Sequence, residues 1–274
     1  MSDLSFFSTS MLAQSERSVL RGGGRKTEVL LPVRVGYFHH KTLGHTLIDT
    51  GHGAQAVYKQ PGEDILLSIH RKVMKPTILH DDPLGVGLAH FGLRKDQIDT
   101  VIVTHLHPDH IGGLRDLPQA RLICARASWN AHLRKNRLTN AMDGVFTALM
   151  PDDMADRLSF IEDMPQLTAP HDLGPGYDLL GDGTMLAIDL PGHAPGHFGI
   201  CLPADNFLYA VDVQWLLQAI EEDRSPGPPA HWIQHDARAS VKTFARLRAF
   251  MKAGGDVILC HEPRIHPRDV DRNA

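Results

Sequence analysis

The stretch THLHPDHIGG, residues 104–113, places three histidines and an aspartate within six positions. It continues from IDTVIVTH (98–105), a short apolar and β-branched run that predicts a buried strand. The histidine spacing does not fit one helical face, so these side chains must project from a turn at the end of that strand. Imidazoles and a carboxylate this close would repel or stay unsatisfied without a cation. The stretch therefore predicts a metal site at a sheet edge.

Length and charge limit the class of protein. The chain has 274 residues, enough to bury a sizeable core, and its net charge of −4 provides no basic surface for nucleic acid or an anionic membrane. No apolar run approaches the roughly 18 residues of a spanning helix, and the N-terminus lacks the apolar region of a secretory signal. Cys124, Cys201 and Cys260 lie in apolar runs, and an odd number of buried thiols suits a reducing compartment. We expect a cytoplasmic protein without nucleic-acid or membrane partners.

Strand and helix patterns are mixed along the whole chain, with no linker that would divide it. Residues 1–28 are polar and glycine-rich and predict an N-terminal arm, whereas residues 29–274 predict one domain. Residues 137–177 lack regular periodicity and predict an insertion able to form a partial lid. The clearest helix is predicted over 236–255. Further strands are predicted at 28–38, 45–51, 120–125, 184–193, 198–203, 206–213 and 256–260.

Three more candidate ligands stand where predicted strands end. They are His193 in DLPGHAPGH, Asp212 in LYAVD and His261 in VILCH. Together with the first cluster they exceed what one zinc takes, because a catalytic zinc uses about three protein ligands plus water. The set suits two metals bridged by a carboxylate and a hydroxide.

The ordered motifs THLHPDHIGG, PGHAPGH, AVD and CHEP resemble those of the metallo-β-lactamase fold hydrolase superfamily, over about residues 29–262. The resemblance implies an αβ/βα sandwich, in which two mixed β-sheets flanked by helices carry a dinuclear site at one edge. It also implies a ligand set: one metal on His105, His107 and His193, the second on Asp109, His110 and His261, and Asp212 as the bridge. Zinc is the default for the two divalent ions, and manganese, iron and cobalt also suit nitrogen and oxygen ligands.

Within the superfamily, the compact layout and PGHAPGH are most similar to the N-acyl-homoserine lactonase and small-molecule lactonase branch. The bridging Asp212 differs from the cysteine that some β-lactamases carry at the second metal. Several lactonases place a tyrosine three residues after the bridging aspartate, and Trp215 occupies that position here. Asp49 in LIDTG matches a turn that supports the metal loop in the family, although a plain turn aspartate is an equal alternative.

The resemblance implies a metallo-hydrolase in which a metal-bridging hydroxide attacks a lactone or ester carbonyl of a small molecule. Asp109 would orient the hydroxide and pass its proton to the leaving group. A phosphotriesterase, arylesterase or thioesterase on the same metals is an open alternative, and a mononuclear iron sulfur dioxygenase is a more distant one. Trp215 and Phe146 are candidate pocket walls, as are Phe6 and Phe7 of the arm. No pattern decides between a monomer and a homodimer.

Overall fold

Two mixed β-sheets form the centre of the computed structural model, which describes residues 4–24, 26–60, 64–227 and 234–271. The first sheet has the strand order β4-β1-β2-β3-β5-β6-β7 and the second has the order β13-β12-β11-β10-β9-β8. The strands are β1 (Ser5–Ser15), β2 (Glu28–His40), β3 (Gly44–Ile48), β4 (Pro76–Ile78), β5 (Thr100–Val103), β6 (Arg121–Cys124), β7 (Leu158–Phe160), β8 (Gln166–Thr168), β9 (Pro175–Asp178), β10 (Leu186–Asp189), β11 (Phe198–Leu202), β12 (Phe207–Tyr209) and β13 (Asp256–Ile258). Strands β3, β5, β6 and β7 run parallel, as do β12 and β13, and the other paired strands are antiparallel.

Helices connect and cover these strands. They are α1 (Glu16–Val19), α2 (Ala54–Val57), α3 (Ile65–Met74), α4 (Pro83–Ala89), α5 (Pro108–Ile111), α6 (Arg126–Leu133), α7 (Arg137–Met142), α8 (Met154–Arg157), α9 (Leu217–Glu221) and α10 (Ala237–Lys252). Single 3₁₀ turns lie at Lys95–Gln97, Leu114–Asp116, Thr147–Leu149, Ile161–Asp163 and Pro203–Asp205. No helix in the described ranges has the length and apolar character needed to cross a membrane.

The buried apolar side chains divide into three layers, which follow from the two-residue alternation of each strand. Ile102 of β5 points between the sheets, where it shares a cluster with Ile200 of β11. Its neighbour Val101 points to the outer face and packs with Leu67 of α3 and Leu88 of α4. The outer face of the second sheet is covered by α10 through Phe244, Leu247 and Phe250. This order of helix, sheet, sheet and helix is the sandwich that the sequence predicts, and the prediction of fold class is confirmed.

The predicted N-terminal arm is wrong for Ser5–Ser15. This segment is β1, which pairs with β2 along its whole length and with β4 on its other side. Phe6 lies between the sheets against Tyr209, with ring centroids 4.8 Å apart, and Phe7 packs in the outer layer. Neither side chain reaches the metal cluster, because both are fixed in the core. Residues 1–3 and 25 of the predicted arm lie outside the described residues.

The predicted insertion 137–177 is only partly separate from the sheets. Its first part, α7 and the turn after it, lies beside the cavity described below. Its later part extends both sheets, because β7 pairs with β6 and the β8–β9 pair continues from β10. All three residues of β8 are exposed, so no apolar alternation marks that strand in the sequence.

Candidate metal centre

Strand direction brings the predicted ligands to one edge of the sandwich. His105 follows β5, and Asp109 and His110 lie on the short helix α5 directly after it. In the second sheet β10, β12 and β13 point the same way, and His193, Asp212 and His261 follow these three strands. Residues that follow strands of one direction emerge at the same edge, which is where a rigid scaffold positions chemistry.

The first half of the centre is a triangle of imidazole nitrogens. His105 Nε2 lies 3.0 Å from His107 Nδ1 and 3.2 Å from His193 Nε2. His193 Nε2 lies 3.0 Å from His107 Nδ1. The nearest carboxylate oxygen is Asp212 Oδ2, which lies 3.5 Å from His193 Nε2 and 3.9 Å from His105 Nε2. These atoms form the first of two groups able to hold a metal ion.

The second half shares that oxygen. Asp212 Oδ2 lies 3.2 Å from His261 Nε2 and 3.3 Å from His110 Nε2. Asp109 Oδ2 lies 3.3 Å from His261 Nε2 and 3.7 Å from His110 Nε2. One carboxylate oxygen therefore stands between two groups of nitrogen donors, as expected of a bridging ligand.

The outward nitrogens of three candidate ligands are anchored to the protein. His107 Nε2 donates to the carbonyl of Asp143 at 2.9 Å, and His261 Nδ1 donates to the carbonyl of Pro32 at 2.9 Å. His110 Nδ1 donates to Asp49 Oδ2 at 2.8 Å. These partners assign the tautomer, so the inward nitrogen of each neutral ring carries a lone pair. His110 Nε2 is buried without a hydrogen-bond partner in the described residues, which fits a metal ligand.

Burial and neighbouring charges shift the pKa values of the histidines in opposite directions in the two halves of the centre. Burial and neighbouring imidazoles lower the pKa of His105 and His193 well below the usual value. Burial alone would also lower the pKa of His110 and His261, but nearby carboxylates, Asp212 foremost, outweigh it and raise both pKa values. The pKa of Asp212 is lowered because those two imidazoles outweigh the opposing effect of burial. The second half therefore stabilises positive charge, which a divalent cation supplies.

Asp49 lies beneath the metal loop. Its backbone has a φ of 61°, a left-handed conformation that aspartate tolerates better than most residues. The buried carboxylate accepts from Thr104 N and Thr104 Oγ1, each at 2.8 Å, as well as from His110 Nδ1. Burial raises the pKa of Asp49 despite these donors. The structure thus places this residue where the sequence predicts a support, and it ties the start of the loop to one of its ligands.

We expect Asp49→Asn to weaken metal binding by about 10–100-fold, the usual effect of changing a group that orients a ligand. The amide has one acceptor oxygen for three donors, so the His110 ring loses its fixed orientation. Competition with a chromogenic chelator measures the affinity. Asp99→Asn is the matched control, because Asp99 is exposed at the other end of β5 and, among the described residues, its carboxylate accepts a single hydrogen bond, from His45 N. Equal affinity in Asp49→Asn and Asp99→Asn would contradict this role.

The turn that carries Asp212 has a left-handed residue, Val211, and is fixed by hydrogen bonds. Val211 has a φ of 52°, which is unusual for a β-branched residue and costs about 1–3 kcal/mol. Its carbonyl accepts from Cys260 N at 2.8 Å, so the turns that carry Asp212 and His261 are bonded to each other. His197 donates from Nδ1 to the Leu190 carbonyl and accepts from Asp212 N at Nε2. His197 therefore positions the backbone of Asp212, the predicted bridging residue.

An apolar cavity of about 260 Å³ opens onto the cluster. Its floor includes His107, Asp109, His193, Asp212 and His261, and its walls include Leu66, Ile69, Val73, Leu138, Met142, Phe146 and Trp215. The predicted wall residues Trp215 and Phe146 both line it, and the Trp215 ring lies 5.6 Å from the His261 ring. A concave apolar site with polar groups at one end is typical of small-molecule binding.

The structure adds two histidines that the sequence does not single out. His70 of α3 lines the cavity, and its ring centroid lies 5.1 Å from that of Phe146. His52 is buried after the Asp49 turn, with Nδ1 2.7 Å from Ser10 Oγ of β1. Each is a lone histidine without a metal-binding spacing to its neighbours. The high histidine content, 18 residues, is the one sequence signal that points to them.

The sequence profile of the Metallo-beta-lactamase superfamily matches residues 36–255. The chain therefore belongs to the metallo-beta-lactamase superfamily, and it is an enzyme of the metallo-hydrolase class. It is 25% identical over 252 residues to the N-acyl homoserine lactonase AttM of Azorhizobium caulinodans, covering 90% of this chain and 87% of that protein. It is 27% identical over 258 residues to AttM of Agrobacterium fabrum, covering 89% and 86%.

Solved structures show the same fold. A quorum-quenching N-acyl homoserine lactone lactonase superposes with a TM-score of 0.68 at 17% identity, covering 96% of both chains. The dizinc lactonase AidC superposes with a TM-score of 0.65 at 15% identity, covering 95% of this chain and 87% of that chain. Membership of the superfamily implies divalent metal use, and the convergent donor atoms described above fit such ions.

Proposed function

We propose that this chain is a dinuclear metallo-hydrolase that opens the ring of small-molecule lactones, with N-acyl homoserine lactones as the first substrate class to test. The observation that carries the proposal is the position of Asp212 Oδ2 between two donor groups, at the floor of an apolar cavity. The AttM relatives, which align over about nine-tenths of this chain, are named as N-acyl homoserine lactonases and support the choice of substrate.

Two divalent cations, with zinc as the first candidate, supply an activated hydroxide at neutral pH and polarise the carbonyl when they are bound. His105, His107 and His193 would hold one ion, Asp109, His110 and His261 would hold the other, and Asp212 would contribute to both. Manganese, iron and cobalt also suit these nitrogen and oxygen donors.

Asp109 is the proposed proton carrier. It lines the cavity beside His261 and is 7% exposed, so its carboxylate is accessible from the substrate side. In the proposed reaction it orients the attacking water, accepts a proton from it and delivers that proton to the leaving alkoxide. The new C–O bond forms to the water oxygen as the ring C–O bond breaks, which converts one lactone and one water into a hydroxy acid.

The cavity walls hold the rest of the substrate. Trp215 is 8% exposed and Phe146 is 3% exposed, and both present apolar surface beside the cluster. Apolar walls exclude water from the reacting carbonyl and favour a substrate with an aliphatic or aromatic portion. The polar groups at the floor of the cavity would therefore carry out the reaction, and the apolar walls would bind the rest of the substrate.

Elemental analysis paired with lactone hydrolysis tests the proposal. We expect two metal ions per chain, turnover of N-acyl homoserine lactones, loss of that turnover on chelation and its return with zinc or manganese. Chelation should also lower the melting temperature, because ions that bind only the folded state stabilise it.

Other outcomes would redirect the assignment. Two ions with turnover of paraoxon or thioesters but no lactone would contradict the substrate class and keep the metal centre. A single iron per chain would contradict the dinuclear centre itself. A substrate panel separates these cases: a lactone, an aryl ester, a thioester and a phosphotriester are each assayed separately with the same protein preparation.

A further inference from the structure

Two polar side chains in the cavity, His70 and Trp215, make no side-chain hydrogen bond to the described residues. The described lining residues that are not proposed ligands are mostly apolar, and His70, Asp143 and Trp215 are the exceptions. Asp143 already has partners, because its carboxylate pairs with Lys135 and its backbone carbonyl accepts a hydrogen bond from His107. The half-buried His70 imidazole makes no hydrogen bond to the described residues. It is therefore a donor available to a molecule in the cavity.

The fold holds this imidazole in place. Asp64 caps the start of α3 by accepting from Leu66 N at 2.7 Å. The same carboxylate forms a two-point ion pair with Arg137 at the start of α7, at 2.7 and 2.6 Å. Leu67 of α3 is buried in the outer apolar layer. Helix α3 is thus fixed both to the core and to the helix across the cavity.

His70 lines the cavity whose floor is formed by the candidate metal ligands. Its ring packs on Phe146 at 5.1 Å, with an interplanar angle of 58°. Asp109 and His107 of the floor line the same cavity. Burial lowers the pKa of His70 to about 4, so the ring is neutral near pH 7 and keeps one N–H. A neutral imidazole that lines the cavity can donate this N–H to an oxygen of a bound molecule.

We propose that His70 is a catalytic residue whose imidazole N–H donates a hydrogen bond to the carbonyl oxygen of the substrate as that oxygen becomes an oxyanion. This inference rests on the proposed hydrolysis of a carbonyl substrate. A preformed donor in a site with apolar walls acts most strongly where charge develops, so His70 stabilises the transition state more than the bound substrate. The contribution should therefore appear mainly in kcat.

Three variants test the inference on the metal-loaded enzyme. His70→Leu removes the donor and is expected to lower kcat by about 10²–10³-fold, with KM changed by less than about threefold. His70→Gln retains an N–H donor and should recover kcat to within about tenfold of wild type. Lys72→Ala, on the exposed side of the same helix, is the matched control and should retain wild-type kcat. Metal content and melting temperature are measured for all three, so that a folding or metal defect is recognised.

A second measurement follows the imidazole itself. With ¹⁵N-labelled histidine, a non-hydrolysable lactam analogue should shift the His70 ring signal, identified by its absence in His70→Leu. A kcat within about threefold of wild type in His70→Leu, or a lactam that binds without moving the His70 signal, would overturn the role. Equal losses in His70→Gln and His70→Leu would overturn it as well.

The substrate panel separates this inference from the proposed function. Wild-type turnover of aryl esters without lactones would contradict the lactone assignment, and His70 would then be judged by the same kcat ratio on aryl esters. Wild-type protein inactive on every carbonyl substrate would overturn both. Normal lactone turnover in His70→Leu would overturn the role of His70 alone.

Discussion

Asp212→Asn is expected to lower kcat/KM by at least about 10³-fold and to reduce the bound metal below two ions per chain. Its Oδ2 lies 3.2–3.5 Å from nitrogens of His261, His110 and His193, so both halves of the centre depend on one oxygen. An amide oxygen lacks the formal charge that holds two cations together. Metal ions supply several kcal/mol of transition-state stabilisation, and each 1.36 kcal/mol corresponds to about tenfold in rate.

The amide has nearly the same shape as the carboxylate, and the backbone bond from residue 212 to His197 is unaffected. Metal-free Asp212→Asn should therefore retain the far-ultraviolet circular dichroism spectrum of the metal-free wild type. Asp152→Asn is the matched control, since that side chain is 93% exposed and its ion pair with Arg115 lies at the surface. Two ions per chain with more than about one-tenth of wild-type kcat/KM in Asp212→Asn would rule out a bridging role.

The convergence of the candidate metal ligands could be predicted from the sequence because its signal is local and ordered. His105, His107, Asp109 and His110 follow one apolar strand without a gap, and the later candidates also stand at strand ends. Strand ends of the same direction meet at one edge, so chain order alone brings these residues together. The fold class follows from the same pattern, because apolar runs of strand length alternate with helical segments.

Strand β1 could not be predicted because its buried residues include polar ones. Thr9 and Ser10 are fully buried, and hydrogen bonds to Val33 O and His52 satisfy their hydroxyls. These bonds let hydroxyl residues occupy core positions, which hides the alternation expected of a strand. Partners 24 and 42 residues away satisfy them, and no local pattern contains that information.

His70 illustrates the same limit for a binding site. The α3 sequence ILLSIHRKVM is apolar on more than one side, so periodicity does not indicate which residues face a cavity. Which residues of α3 face the cavity depends on the contact between α3 and α7. The ion pair between Asp64 and Arg137, 73 residues apart in the chain, fixes that contact. Long-range polar contacts of this kind decide the orientation of the cavity wall.

Substitution of Arg34, which holds the C-terminal segment, is expected to cause the largest change in the free energy of unfolding. This β2 side chain is 3% exposed and forms a two-point ion pair with the buried Asp269, both contacts at 2.9 Å. It also donates to the carbonyls of Glu262 and Arg264, which flank the turn after His261. The guanidinium therefore anchors the segment that carries a proposed metal ligand.

Arg34→Met should lower the free energy of unfolding by about 3–5 kcal/mol, because it removes the guanidinium that neutralises the buried Asp269 carboxylate. Urea denaturation of the metal-free protein measures this change without the contribution of bound ions. Arg94→Met removes an exposed pair with Asp96, in which the two side chains are 72% and 66% exposed, and should cost less than about 1 kcal/mol. If Arg34→Met and Arg94→Met have equal effects, the buried pair does not anchor the C-terminal segment. A loss confined to Arg34→Met, accompanied by weaker metal binding in the refolded protein, would connect this anchor to the position of His261.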